Sequence, residues 1–294
     1  MARTEMTGFN RRVCLALLIG TGSSLAAPQE RNSEQPKDWV CPMDPDYRSD
    51  KPGVCPRCGM KLVVQVPDRV EYPLQVTYRP DALHAGDTVE LTFRVLNPFT
   101  GYTVQRFETV HEKLMHLFIV SENLEYFAHV HPLVRADGSF FLTQRLPYGG
   151  MYRLLADYYP AGSAPQLALY TLFVSGDAAH SEILPSLAPC RSENLTVSLR
   201  PDPFPPVVGL ETKLIYELTP AAGLERYLGV WGHMLIVSSD LIDLLHLHPF
   251  LADGGPVIQF NVIFPRQGLY RIWTQFQHEG VVNTAAFTLR VNSL

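Results

Sequence analysis

The chain repeats itself, and that repeat constrains its architecture more than any local propensity does. Met115-His116-Leu-Phe-Ile-Val-Ser121 leads to Ala128-His129-Val-His131-Pro132. After an interval of 117 residues, Gly232-His233-Met-Leu-Ile-Val-Ser238 leads to Leu245-His246-Leu-His248-Pro249. The match then continues one residue out of step. Leu146-Pro147 with Gly150-Met-Tyr152-Arg153 aligns with Phe264-Pro265 and Gly268-Leu-Tyr270-Arg271. Two copies of one unit follow, spanning 72–175 and 193–294, with a linker over 176–192 whose Ile183–Cys190 stretch is rich in proline.

Within each unit the apolar runs are short, β-branched or aromatic, and often alternating. Examples are Thr88-Val-Glu-Leu-Thr-Phe-Arg-Val and Thr212-Lys-Leu-Ile-Tyr-Glu-Leu. Turn clusters such as Ala136-Asp-Gly and Ala252-Asp-Gly-Gly punctuate them. Strands at this spacing, in a unit of about 100 residues, predict an all-β fold of two tandem immunoglobulin-like antiparallel sandwiches. No long helical period is present. Hydrophobic residues at 46% against 18% charged residues exclude a disordered chain. A net charge of −5 without a basic patch argues against nucleic acid as a partner.

The N-terminus has the form of an export signal. Arg11 and Arg12 precede the apolar run Val13–Ile19, and Ser24-Leu25-Ala26 is a small-x-small cleavage site. We expect residues 1–26 to be a signal peptide and 27–38 a linker, placing the protein in an exported, periplasmic location. The run at 13–19 is too short to span a bilayer, and no later segment reaches the ~18 apolar residues a span needs.

Without Cys14, four cysteines remain, and three of them cluster. Cys55-Pro-Arg-Cys58 is a tight knuckle that can present two sulfurs to one metal, and Cys41-x-x-Asp44 offers a second pair at the same spacing. The Lys51-Pro52-Gly53 turn between them allows one pair to fold onto the other. The donors would be three thiolates with the Asp44 oxygen or a thioether from Met43 or Met60. Thiolates suit Zn(II), and thiolates with thioethers suit Cu(I) or Ag(I). A disulfide, Cys55–Cys58 or Cys41–Cys58, is the competing structural reading in an oxidising compartment.

Residues 39–65 resemble the small heavy-metal-binding domain found beside copper and silver efflux adaptors and some metal-pumping ATPases. That family's pattern is Cys-Pro-Met-His-Pro, a Pro-Gly turn, then Cys-Pro-x-Cys-Gly-Met. Every motif position matches except the histidine, which is Asp44 here, a harder ligand than imidazole. The resemblance implies heavy-metal binding by this segment. The two repeats resemble, more loosely, bacterial exported domains that travel with the same module, which implies metal handling without a defined activity.

The histidines are the other candidate ligands. His129 and His131 share a strand face, and a turn at Ser121–Leu124 brings His116 opposite them. The same geometry is expected for His233, His246 and His248, with the turn near Ser239–Asp240. Three neutral imidazoles suit copper, zinc or nickel. Structural polar packing is the alternative for both triplets. His111 can approach the first triplet and has Leu228 at the matching position. His278 lies near Gln275 and Gln277, and His84 and His180 have the setting of exposed loop residues.

Enzyme readings fit poorly. A blue-copper carrier needs a cysteine among the histidines, and the two repeats as bounded above contain none. The glutamate that would follow a cupin His-x-His is Val134 or Arg135 in one copy and Leu251 or Ala252 in the other. No hydrolase, zincin or phosphate-loop motif is present. A two-copper oxidoreductase is the residual enzymatic reading. The leading expectation is a periplasmic protein, not an enzyme, that sequesters or transfers a heavy-metal ion, copper or zinc, with copper preferred. The alternative is an adaptor docked on a metal-efflux complex, in which only the cysteine module binds metal.

Overall fold

The computed structural model describes residues 39–45, 47–64, 70–178 and 182–294. The expected signal peptide, the 27–38 linker and His180 lie outside the described residues. Among the described residues all regular structure is β, and no helix is long and apolar enough to cross a membrane.

The N-terminal module is built on a minimal ladder, β1 (Trp39–Val40) paired with β2 (Arg48–Ser49). The first sandwich follows. One of its sheets contains β3 (Leu74–Arg79), β4 (Thr88–Val95), β7 (Leu133–Val134) and β8 (Phe140–Arg145), in the order β3-β4-β8-β7. The other contains β5 (Met115–Ser121), β6 (Phe127–Val130), β9 (Gly150–Tyr158) and β10 (Gln166–Val174), in the order β10-β9-β5-β6.

The second sandwich repeats this plan. Its strands are β11 (Cys190–Arg191), β12 (Thr196–Asp202), β13 (Glu211–Thr219), β14 (Leu224–Glu225), β15 (His233–Ser238), β16 (Leu244–Leu247), β17 (Val257–Ile263), β18 (Gly268–His278) and β19 (Val281–Val291). One sheet is β11-β12-β13-β17; in the other, β15 lies between β16 and β18, and β19 pairs with β18. Cys190 is therefore not linker. It pairs with Val197 as the first residue of an edge strand and packs on the second core. The second sandwich does contain a cysteine, outside the histidine cluster.

The alternation along β4 and β13 is that of half-buried strands, with Val89, Leu91, Phe93 and Val95 inward in one and Leu214, Tyr216 and Leu218 inward in the other. β5 and β15 differ because every residue is buried. In β5, Met115, Leu117 and Ile119 face their own sandwich core, while Phe118 and Val120 face outward. In β15, Met234 and Ile236 face inward, while Leu235 and Val237 face outward. The outward sets meet. With Leu124, Leu155, Leu241 and Trp273 they form a third apolar core between the two sandwiches. Phe127 stacks on Trp273 there with ring centroids 5.0 Å apart. At roughly 1.5–3 kcal/mol for each fully buried large side chain, this seam fixes the two sandwiches face to face.

Candidate metal centres

His116 and His233 occupy the outward parity of β5 and β15, so both enter the seam at one end. Each is brought back onto its own hairpin by the same turn. Leu124 N–H donates to Ser121 O and Leu241 N–H to Ser238 O, both at 2.9 Å, with Leu124 and Leu241 at φ 56° and 58°. In the register, Phe118 faces His129, and Leu235 faces His246. His116, His129 and His131 come together; in the second repeat the expected set changes, with His233 and His248 grouping with His111 while His246 Nε2 lies 3.4 Å from His233 Nδ1, and the two groups are not separate sites on two separate sandwiches. They meet across the seam: the His116 and His233 ring centroids are 5.6 Å apart, and those of His129 and His233 are 5.4 Å apart.

Proton bookkeeping defines the first centre. His116 Nε2 lies 2.9 Å from the Val110 carbonyl and must carry the proton, so in the neutral ring Nδ1 carries a lone pair. His129 Nδ1 lies 2.7 Å from Gln275 Oε1, whose amide nitrogen donates to Thr284 Oγ1, so His129 Nε2 is also bare. These two bare nitrogens face each other at 3.0 Å, and His131 Nε2 is 3.2 Å from His116 Nδ1. Nitrogens bound to one tetrahedral ion at ~2.0–2.1 Å are roughly 3.3–3.4 Å apart. The observed 3.0 and 3.2 Å are slightly shorter than that.

The second centre has the same wiring with different parts. His233 Nε2 donates to the Tyr227 carbonyl at 3.2 Å, leaving Nδ1 bare 3.4 Å from His246 Nε2. His246 Nδ1 lies 2.9 Å from Asp157 Oδ2, and both side chains are buried. Asp157 stands opposite His116 in its own sheet, as Gln275 stands opposite His233 in the other. Each sandwich therefore orients a histidine of its neighbour. Carboxylate or carbonyl partners of this kind fix the tautomer of a ligating imidazole.

His111 corrects the sequence-based expectation. It joins the second triplet, not the first alone, with its ring centroid 3.9 Å from His248 and 5.3 Å from His233. One nitrogen from each of His111, His233 and His248 lies within 4.8 Å of the others, as for His116, His129 and His131. Both ring nitrogens of His111 and Nε2 of His248 are buried without a hydrogen-bond partner. Such orphans are costly unless something occupies the space between them. His111 and Leu228 share a left-handed backbone, φ 45° and 52°, so the loop conformation belongs to the repeat and the imidazole to the first copy only. His278 is accounted for by its bond to the Ala222 carbonyl, and exposed His84 pairs with Asp87.

Burial keeps these rings neutral. It pushes His116 down to about 4 and His131 to about 3, and holds His129, His233 and His248 well below the usual imidazole range. His111 falls to about 3 for the same reason, aided by the neighbouring imidazoles and opposed by the Asp157 carboxylate and the Cys55 thiolate. Neutral imidazoles are the form that binds metal.

The cysteine module brings Cys41, Cys55, Cys58 and Asp44 together. Cys41 and Cys58 Sγ are 3.3 Å apart, too far for a disulfide, and all three cysteines are free. Asp44 Oδ2 is 3.7 Å from Cys41 Sγ and 3.6 Å from Cys55 Sγ. Asp44 N–H donates to Cys41 Sγ at 3.2 Å. The Cys41 and Cys58 thiols donate to Cys55 and hold it as the thiolate, which pushes their own proton affinity up; burial raises that of Asp44. Met60 is buried in the module with Leu62, and Met43 is partly buried beside them.

This module is docked on the sandwiches. Val110 and Tyr159 of the first repeat complete its small apolar core, and Arg57 lies 4.7 Å over the Phe250 ring of the second. A cavity of ≈ 250 Å³ has Met43, Asp44 and Arg57 on one wall and His246 and His248 on the other. A second, of ≈ 480 Å³, places Met43 with Asp157 and His246.

Sequence reasoning missed Asp157 and Gln275. The signal was present: each is a polar residue in an apolar strand, and they match at the same one-residue offset as the Tyr152 and Tyr270 segments. A family described as "Heavy metal binding domain" matches residues 39–65. A family described as "Domain of unknown function (DUF8832)" matches 68–175 and again 191–293. Among curated proteins, none matches the chain. Solved structures include the Escherichia coli adhesin FdeC, at 14% identity over 80% of this chain and 71% of that one, TM-score 0.26. A DUF4785 family protein of Legionella pneumophila has 14% identity over 74% and 55%, TM-score 0.27. The fibronectin(III)-like modules of Clostridium thermocellum CbhA have 12% identity over 74% and 95%, TM-score 0.22.

Proposed function

The chain belongs to the DUF8832 family, whose domain it carries twice behind a heavy metal binding domain, and from that premise we propose that it takes up and holds a heavy-metal ion in an exported, periplasmic setting. Copper is the best fit. Three sulfur donors favour Cu(I), and neutral imidazoles accept copper ahead of the other first-row divalent ions, zinc included. The role is sequestration or transfer of the ion, not catalysis.

One observation carries this reading: within each hairpin imidazole nitrogens face each other at 3.0 and 3.4 Å, and the outer ring of each pair is held by a carbonyl or carboxylate from the other sandwich across the seam. Polar packing alone would place a proton between such nitrogens. The metal would be held at three places: Cys41, Cys55 and Cys58 with Asp44, beside Met43 and Met60; His116, His129 and His131; and His233, His246 and His248 with His111.

The test is anaerobic titration of the chain from residue 27 with Cu(I), Cu(II) and Zn(II), followed by metal analysis. Three tightly held ions per chain are expected. One of them should disappear in Cys55→Ser/Cys58→Ser. Binding at the cysteines should release protons, because the Cys41 and Cys58 thiols must ionise, whereas binding at the imidazoles near neutral pH should release none. A single ion that vanishes with the cysteines overturns the histidine centres.

A further inference from the structure

We propose that the cysteine module is the loading door of the second histidine centre: it passes Cu(I) to His111 and His248 inside one molecule. This rests on the metal-binding reading above and adds a direction to it.

Three observations place the door. The module sits against one centre, with Met43 and Asp44 lining the same cavity as His246 and His248. Val110, immediately before His111, is part of the module's own apolar cluster with Cys41, Cys55 and Cys58. His111 is also where the duplication breaks: the matching residue, Leu228, carries no donor. The extra imidazole therefore lies on the strand of chain that touches the thiolates, with both its nitrogens unpartnered and its ring 3.9 Å from that of His248.

The step is a ligand exchange without electron transfer. Copper stays Cu(I). A bond from copper to His111 nitrogen forms as a copper–sulfur bond breaks. His248 and His233 then replace the remaining sulfurs, and the released thiolates of Cys41 and Cys58 take protons back from water. A stepwise exchange of this kind needs a donor within reach of both sites, and His111 is that donor.

The experiment offers excess Cu(I) to the full chain, anaerobically, as a complex with a coloured aromatic chelator too bulky to enter the seam. Loss of colour counts ions taken up with time. X-ray absorption on samples frozen at intervals separates sulfur from nitrogen ligation. In the wild type, sulfur-bound copper should appear first and nitrogen-bound copper should follow. His111→Leu copies the second repeat, and it should fill the knuckle-side centre more slowly than the wild type. The slowing should be at least about tenfold, equivalent to ~1.4 kcal/mol in barrier. Cys55→Ser/Cys58→Ser should lose one ion and show the same slowing. Unchanged filling in either variant overturns the door. A wild type that never acquires nitrogen-bound copper overturns the histidine centres themselves, which is a different failure.

Discussion

The two sandwiches share one plan, yet the metal centres they build between them differ. The first copy supplies His111 where the second has Leu228, and Asp157 where the second has Gln275. Both differences favour the same centre. His233 and His248 group with His111, and His246 beside them has a carboxylate behind it, whereas His116, His129 and His131 have only an amide behind His129. The cysteine module lies on the favoured side. A duplicated scaffold has thus been differentiated by two residues and a docked neighbour, with the hairpins that hold the ligands left alike.

The comparison breaks most visibly by removing one triplet at a time. His129→Asn/His131→Asn and His246→Asn/His248→Asn should each cost one bound ion per chain, counted by metal analysis of the purified protein. If either pair leaves the count unchanged, the two centres are not equivalent sites at all.

Acid is the next largest lever, and its sign follows from burial. The histidines ionise near 6.5 in the unfolded chain but only at about 4 for His116 and about 3 for His111 in the folded one. The unfolded state therefore binds more protons below pH 6.5. Stability of the metal-free protein should fall as pH drops from 6.5 toward 4, by ~1.4 kcal/mol per pH unit for each ring kept neutral. Thermal melts across that range should show this, with His111→Leu less acid-sensitive than the wild type.

The oriented partners give a smaller and more selective effect. Asp157→Asn should weaken the second centre by about 10–100-fold and leave the first unchanged, since the carboxylate 2.9 Å from His246 Nδ1 sets the tautomer and basicity of that ring. Gln275→Glu should make the first centre resemble the second and strengthen it. Competition against a chelator of known affinity checks both. The smallest effect is expected from Asp44→His, which restores the family pattern in the cysteine module. It should raise Cu(I) affinity there, because imidazole is softer than carboxylate, without altering either histidine centre.

Much of this was legible before any coordinates. The repeat, the hairpin turns at Ser121–Leu124 and near Ser239–Asp240, the grouping of His116 with His129 and His131, and the cysteine motif all follow from short-range spacing. What the spacing could not supply was the seam. Whether the outward faces of β5 and β15 meet solvent, each other or another chain depends on a surface match that no local pattern encodes. The unbroken apolar run Leu-Phe-Ile-Val after His116 was a hint that both faces are covered, because a half-exposed strand alternates. Without the seam, Asp157 and Gln275 have no partners to orient, and the approach of His111 to His233 and His248, beyond its approach to His116, cannot be foreseen. The proline-rich stretch that ends at Cys190 reads as linker, and a strand of two residues at a sheet edge is too short to show in the pattern.

The reciprocal seam also bears on ancestry. Two identical sandwiches meeting through the same face form a symmetric dimer, in which every surface residue appears twice. A founder of that kind would have had matched centres, and any change at one would have been imposed on the other. Joining the copies in one gene removed that constraint. His111 matched with Leu228, and Asp157 matched with Gln275, are differences that no symmetric homodimer can carry, so the link between the sandwiches lets one pocket differ from its twin.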